Sequence, residues 1–141
     1  MTRIFKMGGW PSESNTYVFD GDFVDRGPKG CEVVLTLLVW KLIYPENIHM
    51  LRGNHEVPSV NEYYGFMHEL KDKYRGDGDR LREAFNSLFT QLPLGAVVAD
   101  RILVVHGGIP RALMDDPNFS LDTLKKCART AEPELKAPSL S

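Results

Sequence analysis

The chain has 141 residues, a length that suits one domain. Hydrophobic residues make up 43% and charged residues 26%, the balance of a globular protein that lives in water. A formal net charge of −2 argues against non-specific nucleic-acid binding, which needs a positive field to neutralise phosphates.

Residues 1–7 read as the tail of a helix, and Gly8-Gly9-Trp10-Pro11-Ser12 is a loop signal. Tyr17-Val18-Phe19 is β-branched and aromatic, and predicts a buried strand leading into Asp20 and Asp22. Pro28 stands where a first helical turn tolerates it. The stretch 32–44 carries apolar residues all round, among them Val33, Val34, Leu37, Leu38, Trp40 and Leu42. It predicts a helix packed on a sheet, ended by Pro45. The next short strand is predicted over 47–51. Strand, helix and strand within about 35 residues make a βαβ unit with a right-handed crossover. Ligands of such sheets bind beyond the carboxyl ends of the strands, where Asp22 and Asn54 fall.

From 57 to 91 the pattern is helical. Tyr64, Met67, Leu70 and Tyr74 form one stripe, and Leu81, Phe85, Leu88 and Phe89 another, separated by Gly76-Asp77-Gly78. Core packing accounts for both stripes better than a membrane or a docked partner does. Lys71, Lys73, Arg75, Arg80 and Arg82 cluster here, but Asp72, Asp77, Asp79 and Glu83 lie among them, as on a solvated helical face. Val97-Val98-Ala99 and Ile102-Leu103-Val104-Val105 read as a strand pair joined through Asp100-Arg101, and the second runs straight into His106. Ser120 is placed to cap a last helix over 121–128. The stretch 130–141 holds Pro133, Pro138 and little that could pack, which predicts a disordered tail.

Cys31 and Cys127 are the chain's two cysteines, each within a helical pattern. Two idle thiols fit better than a disulfide, and they point to a reducing compartment, cytoplasmic or nuclear. The longest apolar stretch, 33–44, carries Lys41 and is too short to span a bilayer. Asn118-Phe119-Ser120 matches a glycosylation acceptor, but no signal peptide precedes it, so the match reads as accidental.

Three segments carry the chemistry, each after a predicted strand: Gly21-Asp22-Phe23-Val24-Asp25-Arg26-Gly27, Gly53-Asn54-His55-Glu56 and His106-Gly107-Gly108. An Asp at a strand end can bridge two cations through its separate oxygens, which suits Asp22. Asn54 offers a neutral carbonyl oxygen. His106 offers an imidazole nitrogen, and the glycines after it would let backbone approach the site. Mixed oxygen and imidazole donors suit manganese, iron or zinc better than calcium. Arg26 has the planar fork that matches phosphate. His55 could protonate a leaving oxygen as a general acid, with Asp25 as the nearest carboxylate to fix its tautomer.

Each piece also has a plain alternative. The Asp pair could be a turn former, and His106 a satisfied strand-end histidine. Arg52 and Arg26 could pair with Glu56 and Asp25. Glu56 stands undecided between supporting the site and holding its loop. His49, inside a strand, and His68, on a helix, read as structural, and Trp10 and Trp40 as packing residues.

With Leu51-Arg52-Gly53-Asn54-His55-Glu56 and Val105-His106-Gly107-Gly108 following Tyr17-Val18-Phe19-Asp20-Gly21-Asp22, the chain closely resembles the PPP-type serine/threonine protein phosphatases. Tyr64-Gly65-Phe66 and Leu92-Pro93-Leu94 look like that family too. Phe23 and the helix beginning Glu32-Val33-Val34 look nearest to its protein phosphatase five and EF-hand phosphatase branch. The resemblance implies an α/β fold, a partial calcineurin-like metallophosphoesterase β-sandwich with flanking helices. It implies that 1–129 form part of a catalytic domain.

It also implies hydrolysis of phosphoserine and phosphothreonine by metal-activated hydroxide, without a phosphoenzyme. Asp22 resembles the carboxylate shared by two divalent metals, Asn54 and His106 resemble ligands of the second metal, Arg26 the phosphate-binding arginine, His55 the acid and Asp25 its support. The family's Gly-Asp-x-His-Gly segment, which holds the first metal, has no counterpart here, and neither do its later metal histidine and second phosphate arginine. The expectation is therefore a partial site. The implied partners are a phosphoprotein substrate and a regulatory subunit or domain, with no nucleic acid and no membrane. The alternatives are a catalytically dead fragment or decoy that binds phosphatase partners, and a metallophosphoesterase acting on nucleotides.

Overall fold

One ring anchors the first helix, α1 (Thr2–Gly8), in the computed structural model, which describes residues 1–127 and 129. Phe5 is 1% exposed and meets the rings of Trp10, Tyr17, Phe19 and Trp40 at centroid distances of 5.4 to 6.4 Å. Tyr17 and Phe19 belong to β1 (Tyr17–Phe19), and Trp40 to α2 (Gly30–Ile43). Trp40 therefore packs as its type suggests, whereas Trp10 touches Phe5 and Trp40 from outside and stays 54% exposed. The strand β2 (Ile48–Met50) lies parallel to β1, with Tyr17 opposite Ile48 and Phe19 opposite Met50. The predicted strand-helix-strand unit is present.

Two details of α2 differ from the pattern. Pro28 lies in the turn ahead of the helix, not in its first turn. The helix buries Gly30, Cys31, Val34 and Leu37, a single face at helical spacing. Leu35, Val39, Leu42 and Ile43 point outward, Leu42 at 83% exposure. Among the described residues a sheet of two strands, the Phe5 ring of α1 and one further helix cover only one side of α2.

The helical stretch resolves into α3 (Pro58–Tyr64), α4 (Phe66–Tyr74), a 3-10 turn (Arg75–Asp77) and α5 (Gly78–Gln91). Leu70, Phe85 and Phe89 are buried as the stripes predict, but Tyr64 and Tyr74 are exposed and Phe66 takes the core position. Phe66 meets Phe85 edge-on at 5.3 Å. The clustered charges pair on the outside: Lys71 with Asp79 at 3.1 Å, Lys73 with Glu32 at 2.5 Å, and Arg82 with Glu62 at 3.3 Å.

The strands β3 (Gly95–Val98) and β4 (Ile102–Val105) form an antiparallel hairpin, with Val98 opposite Ile102. Its central residues are Ala99 and Asp100, with φ of 51° and 54°, the left-handed pair of a tight hairpin turn. The connection thus runs over 99–101, taking in Ala99 besides the predicted Asp100-Arg101. One backbone bond ties the hairpin to the parallel sheet, from the Arg52 N–H to the Pro93 carbonyl at 2.8 Å. Two short helices follow, α6 (Arg111–Met114), which the sequence pattern did not reveal, and α7 (Leu121–Lys125). At the start of α7 the Thr123 hydroxyl accepts the Ser120 N–H at 3.2 Å. Position 128 and the predicted tail 130–141 lie outside the described residues. Both cysteines are free thiols. Among the described residues no helix is long and apolar enough to cross a membrane.

Candidate active site

The exits of β1 and β2 approach each other closely enough to require glycine on both sides. A Cβ on Gly21, whose φ is +82°, would lie 2.4 Å from the Gly53 nitrogen. A Cβ on Gly53 would lie 2.4 Å from Asp22 Oδ1. No side-chain carbon fits at such distances. Gly107 and Gly108, expected to allow this approach, have open space around them instead.

Glu56 locks this meeting. It is fully buried, at 0% exposure. Its Oε2 accepts the N–H groups of Asp22 and Gly53, both at 2.8 Å, and its Oε1 accepts that of Phe23 at 2.7 Å. Burial pushes the carboxyl above its usual pKa range, against the pull of those three donors. The alternative pairing with Arg52 is not the one formed by the carboxylate. Arg52 Nε donates to the Glu56 backbone carbonyl at 3.0 Å, and Nη1 donates to the carbonyl of Arg129. The loop held in this way is strained: Asp22, Asp25 and Arg26 have φ of 56°, 74° and 58°. Left-handed backbone at a non-glycine residue costs about 1–2 kcal/mol, so neighbouring contacts must enforce it.

Asp22, Asn54 and His106 come together. His106 Nε2 lies 3.2 Å from Asn54 Oδ1 and 3.2 Å from Asp22 Oδ1. Its Nδ1 donates to the backbone carbonyl of Asp20, which leaves the Nε2 lone pair facing the two oxygens. Two oxygens and an imidazole nitrogen gathered this closely are a donor set that suits a cation, and Asp22 Oδ1 also accepts the His55 N–H at 3.2 Å. Among the described residues no group of three or more His, Cys, Asp or Glu is placed to hold a metal.

The other three predicted residues form a second cluster beside the first. His55 Nδ1 and Asp25 Oδ2 are 2.6 Å apart, with both side chains buried. The remaining oxygen, Asp25 Oδ1, accepts the Phe66 N–H at 2.8 Å. Arg26 Nη2 donates to His55 Nε2 at 3.0 Å, so Arg26 pairs with the imidazole and not with Asp25. The guanidinium carbon of Arg26 also lies 5.5 Å from the centre of the Tyr64 ring. His49 bonds the Glu46 carbonyl at 3.0 Å, and His68 is exposed on α4, so both stand apart from the site.

Sequence reasoning missed Tyr64, which it assigned to a core stripe. Its local signals were its place as the last residue of a helix before Gly65 and the family-like run Tyr64-Gly65-Phe66.

A parallel βαβ unit with carboxylate, amide and imidazole donors at its strand ends is the ground plan of a metallophosphoesterase. Residues 2–136 match the calcineurin-like phosphoesterase family, and the chain belongs to that family. Within it, the chain is 41% identical over 138 residues to human serine/threonine-protein phosphatase 5, covering 98% of this chain and 26% of that protein. It is 44% identical over 129 residues to serine/threonine-protein phosphatase T of Schizosaccharomyces pombe, covering 92% and 26%. It is 46% identical over 106 residues to mouse serine/threonine-protein phosphatase with EF-hands 1, covering 75% and 16%.

A solved protein serine/threonine phosphatase from Saccharomyces cerevisiae, described as similar to human phosphatase PP5, superposes with a TM-score of 0.85 at 38% identity, covering 96% of this chain and 41% of that one. The chain thus spans about a quarter or less of the length of these curated relatives. The fold is the one the motifs predicted, and relatives of the protein phosphatase five and EF-hand branch are among those matched.

Proposed function

We propose that residues 1–129 carry metal- and phosphate-handling machinery of a serine/threonine protein phosphatase, which hydrolyses phosphoserine and phosphothreonine in protein substrates. The observation that carries this reading is the meeting of Asp22 Oδ1, Asn54 Oδ1 and His106 Nε2 beside the buried His55–Asp25 pair. Asp22, Asn54 and His106 would hold a divalent cation such as manganese, iron or zinc. Such a cation, alone or as one of a pair, polarises a phosphoryl oxygen and makes water acidic near neutral pH.

The chain's own groups do the rest. Arg26 leaves its bond to His55 and takes two phosphate oxygens through its planar fork. That frees the His55 Nε2 lone pair to take up a proton from water, and the imidazolium so formed, steadied by Asp25, gives that proton to the departing serine or threonine oxygen. Asp25 holds the His55 ring through Nδ1, and the Phe66 N–H holds Asp25. A regulatory subunit or domain is the partner that this reading adds.

The test is hydrolysis of an aryl phosphate by the purified chain in manganese. Asp22→Asn and His55→Asn should each lower the rate by roughly 100-fold or more, the usual contribution of a positioned acid or base. Rates equal to that of the unaltered chain would overturn the assignment. Manganese binding without any hydrolysis would favour a non-catalytic module.

A further inference from the structure

We propose that Tyr64 is a positioning residue for Arg26: its ring face holds the guanidinium over the site, so that phosphate meets an arginine already in place. The proposal rests on the reading of Arg26 as the phosphate-binding residue.

The geometry starts from the backbone. Tyr64 is the last residue of α3, and Gly65 turns the chain with a φ of +119°. The next residue fixes the junction twice. The Phe66 N–H is spent on Asp25 Oδ1, and the Phe66 ring is buried in the core. Tyr64 therefore cannot drift from the loop that carries Asp25 and Arg26.

Its ring is then held on several sides. The His55 ring lies 5.1 Å from it, tilted by 59°. Tyr63 meets it edge-on at 4.9 Å from the solvent side. The Arg26 guanidinium sits at 5.5 Å from its centre. A core role does not explain Tyr64, because it is 45% exposed.

A guanidinium stacked on an aromatic face keeps its N–H edge free for an oxyanion. Here that edge points to His55 Nε2, the bond that a phosphate must replace. When Arg26 exchanges partners, the ring is what stays with it. Without the ring, a long side chain would have to be ordered at the moment of binding, and the loss of its rotamer freedom would weaken the complex.

The experiment uses the chain with manganese and inorganic phosphate, with affinity read by calorimetry. Tyr64→Leu should weaken phosphate binding roughly two- to five-fold, the scale of one exposed cation–π contact. Tyr64→Phe should restore it. In an Arg26→Met background, Tyr64→Leu should cause no further loss, which a merely structural residue would not satisfy. By NMR, the Arg26 Nε–Hε signal should shift in Tyr64→Leu and stay in place in Tyr64→Phe.

Equal losses with and without Arg26, or an unmoved Arg26 signal, would overturn the proposal. If the unaltered chain fails to bind phosphate, the assignment of Arg26 falls. The NMR signal alone then decides whether Tyr64 positions it.

Discussion

Glu56 does with two oxygens what several loop residues could not do with their own side chains. Its three accepted N–H groups come from both strand exits, so they hold Asp22 next to Gly53. Glu56→Gln keeps the shape but replaces one oxygen with an amino group that faces a backbone donor. That change should cost about 1–3 kcal/mol, the range for a buried group left unsatisfied, and should show as a lower thermal midpoint. It should also weaken manganese binding, because Asp22 loses its support; unchanged stability would refute the role. The sequence left Glu56 undecided for a physical reason. Two of its three partners lie 33 and 34 residues away, and only the meeting of two strands brings them within reach. Asp25 was different. Its carboxylate sits close to Arg26 in the chain and was singled out for His55 on chemistry alone, and the two atoms stand 2.6 Å apart.

Helix α2 shows the same limit at the level of the element. Its length and its place between two strands could be read from the apolar run and Pro45. Its start could not, because Lys29 at the N-cap position offers no capping oxygen. The cap comes from Glu69 on α4, whose carboxylate accepts the Gly30 and Cys31 N–H groups at 2.9 Å each. Lys73 holds the same carboxylate at 2.8 Å. A carboxylate at a helix N-terminus satisfies free donors and also faces the positive end of the helix dipole. Glu69→Ala should therefore destabilise the chain by about 1–2 kcal/mol in denaturant unfolding. Glu69→Gln, which keeps one acceptor, should cost less. If the two variants unfold alike, the acceptors are not what matters. The residue sits 39 positions from the group it caps, so no local pattern could announce it. The two hydrophobic stripes failed in a related way. Helical spacing marks which side chains share a face, but Phe66 rather than Tyr64 turned inward because Gly65 breaks the helix between them.

At the scale of the molecule, the site joins two sheets that share little else among the described residues. The βαβ unit places Asp22 and Asn54 together by topology, which is why their meeting was legible in strand order. The hairpin brings His106 from 52 residues beyond Asn54. It is held by the Arg52–Pro93 backbone bond and by His106 on the Asp20 carbonyl. A cation held by Asp22, Asn54 and His106 would therefore act as a third tie between hairpin and parallel sheet. Ligand that binds only the folded state adds about 2.7 kcal/mol at a concentration one hundred times its dissociation constant. Manganese at that level should raise the thermal midpoint of the chain, and a chelator should reverse the rise. The gain should also be local. Amide exchange should slow across β3 and β4 when the metal is added. In His106→Ala the hairpin should lose that protection, since the donor it supplies is gone, whereas residues around Asp22 should keep part of theirs. Protection spread evenly over the chain, or undiminished in His106→Ala, would mean that the metal binds without His106 and that the two sheets are not coupled through it.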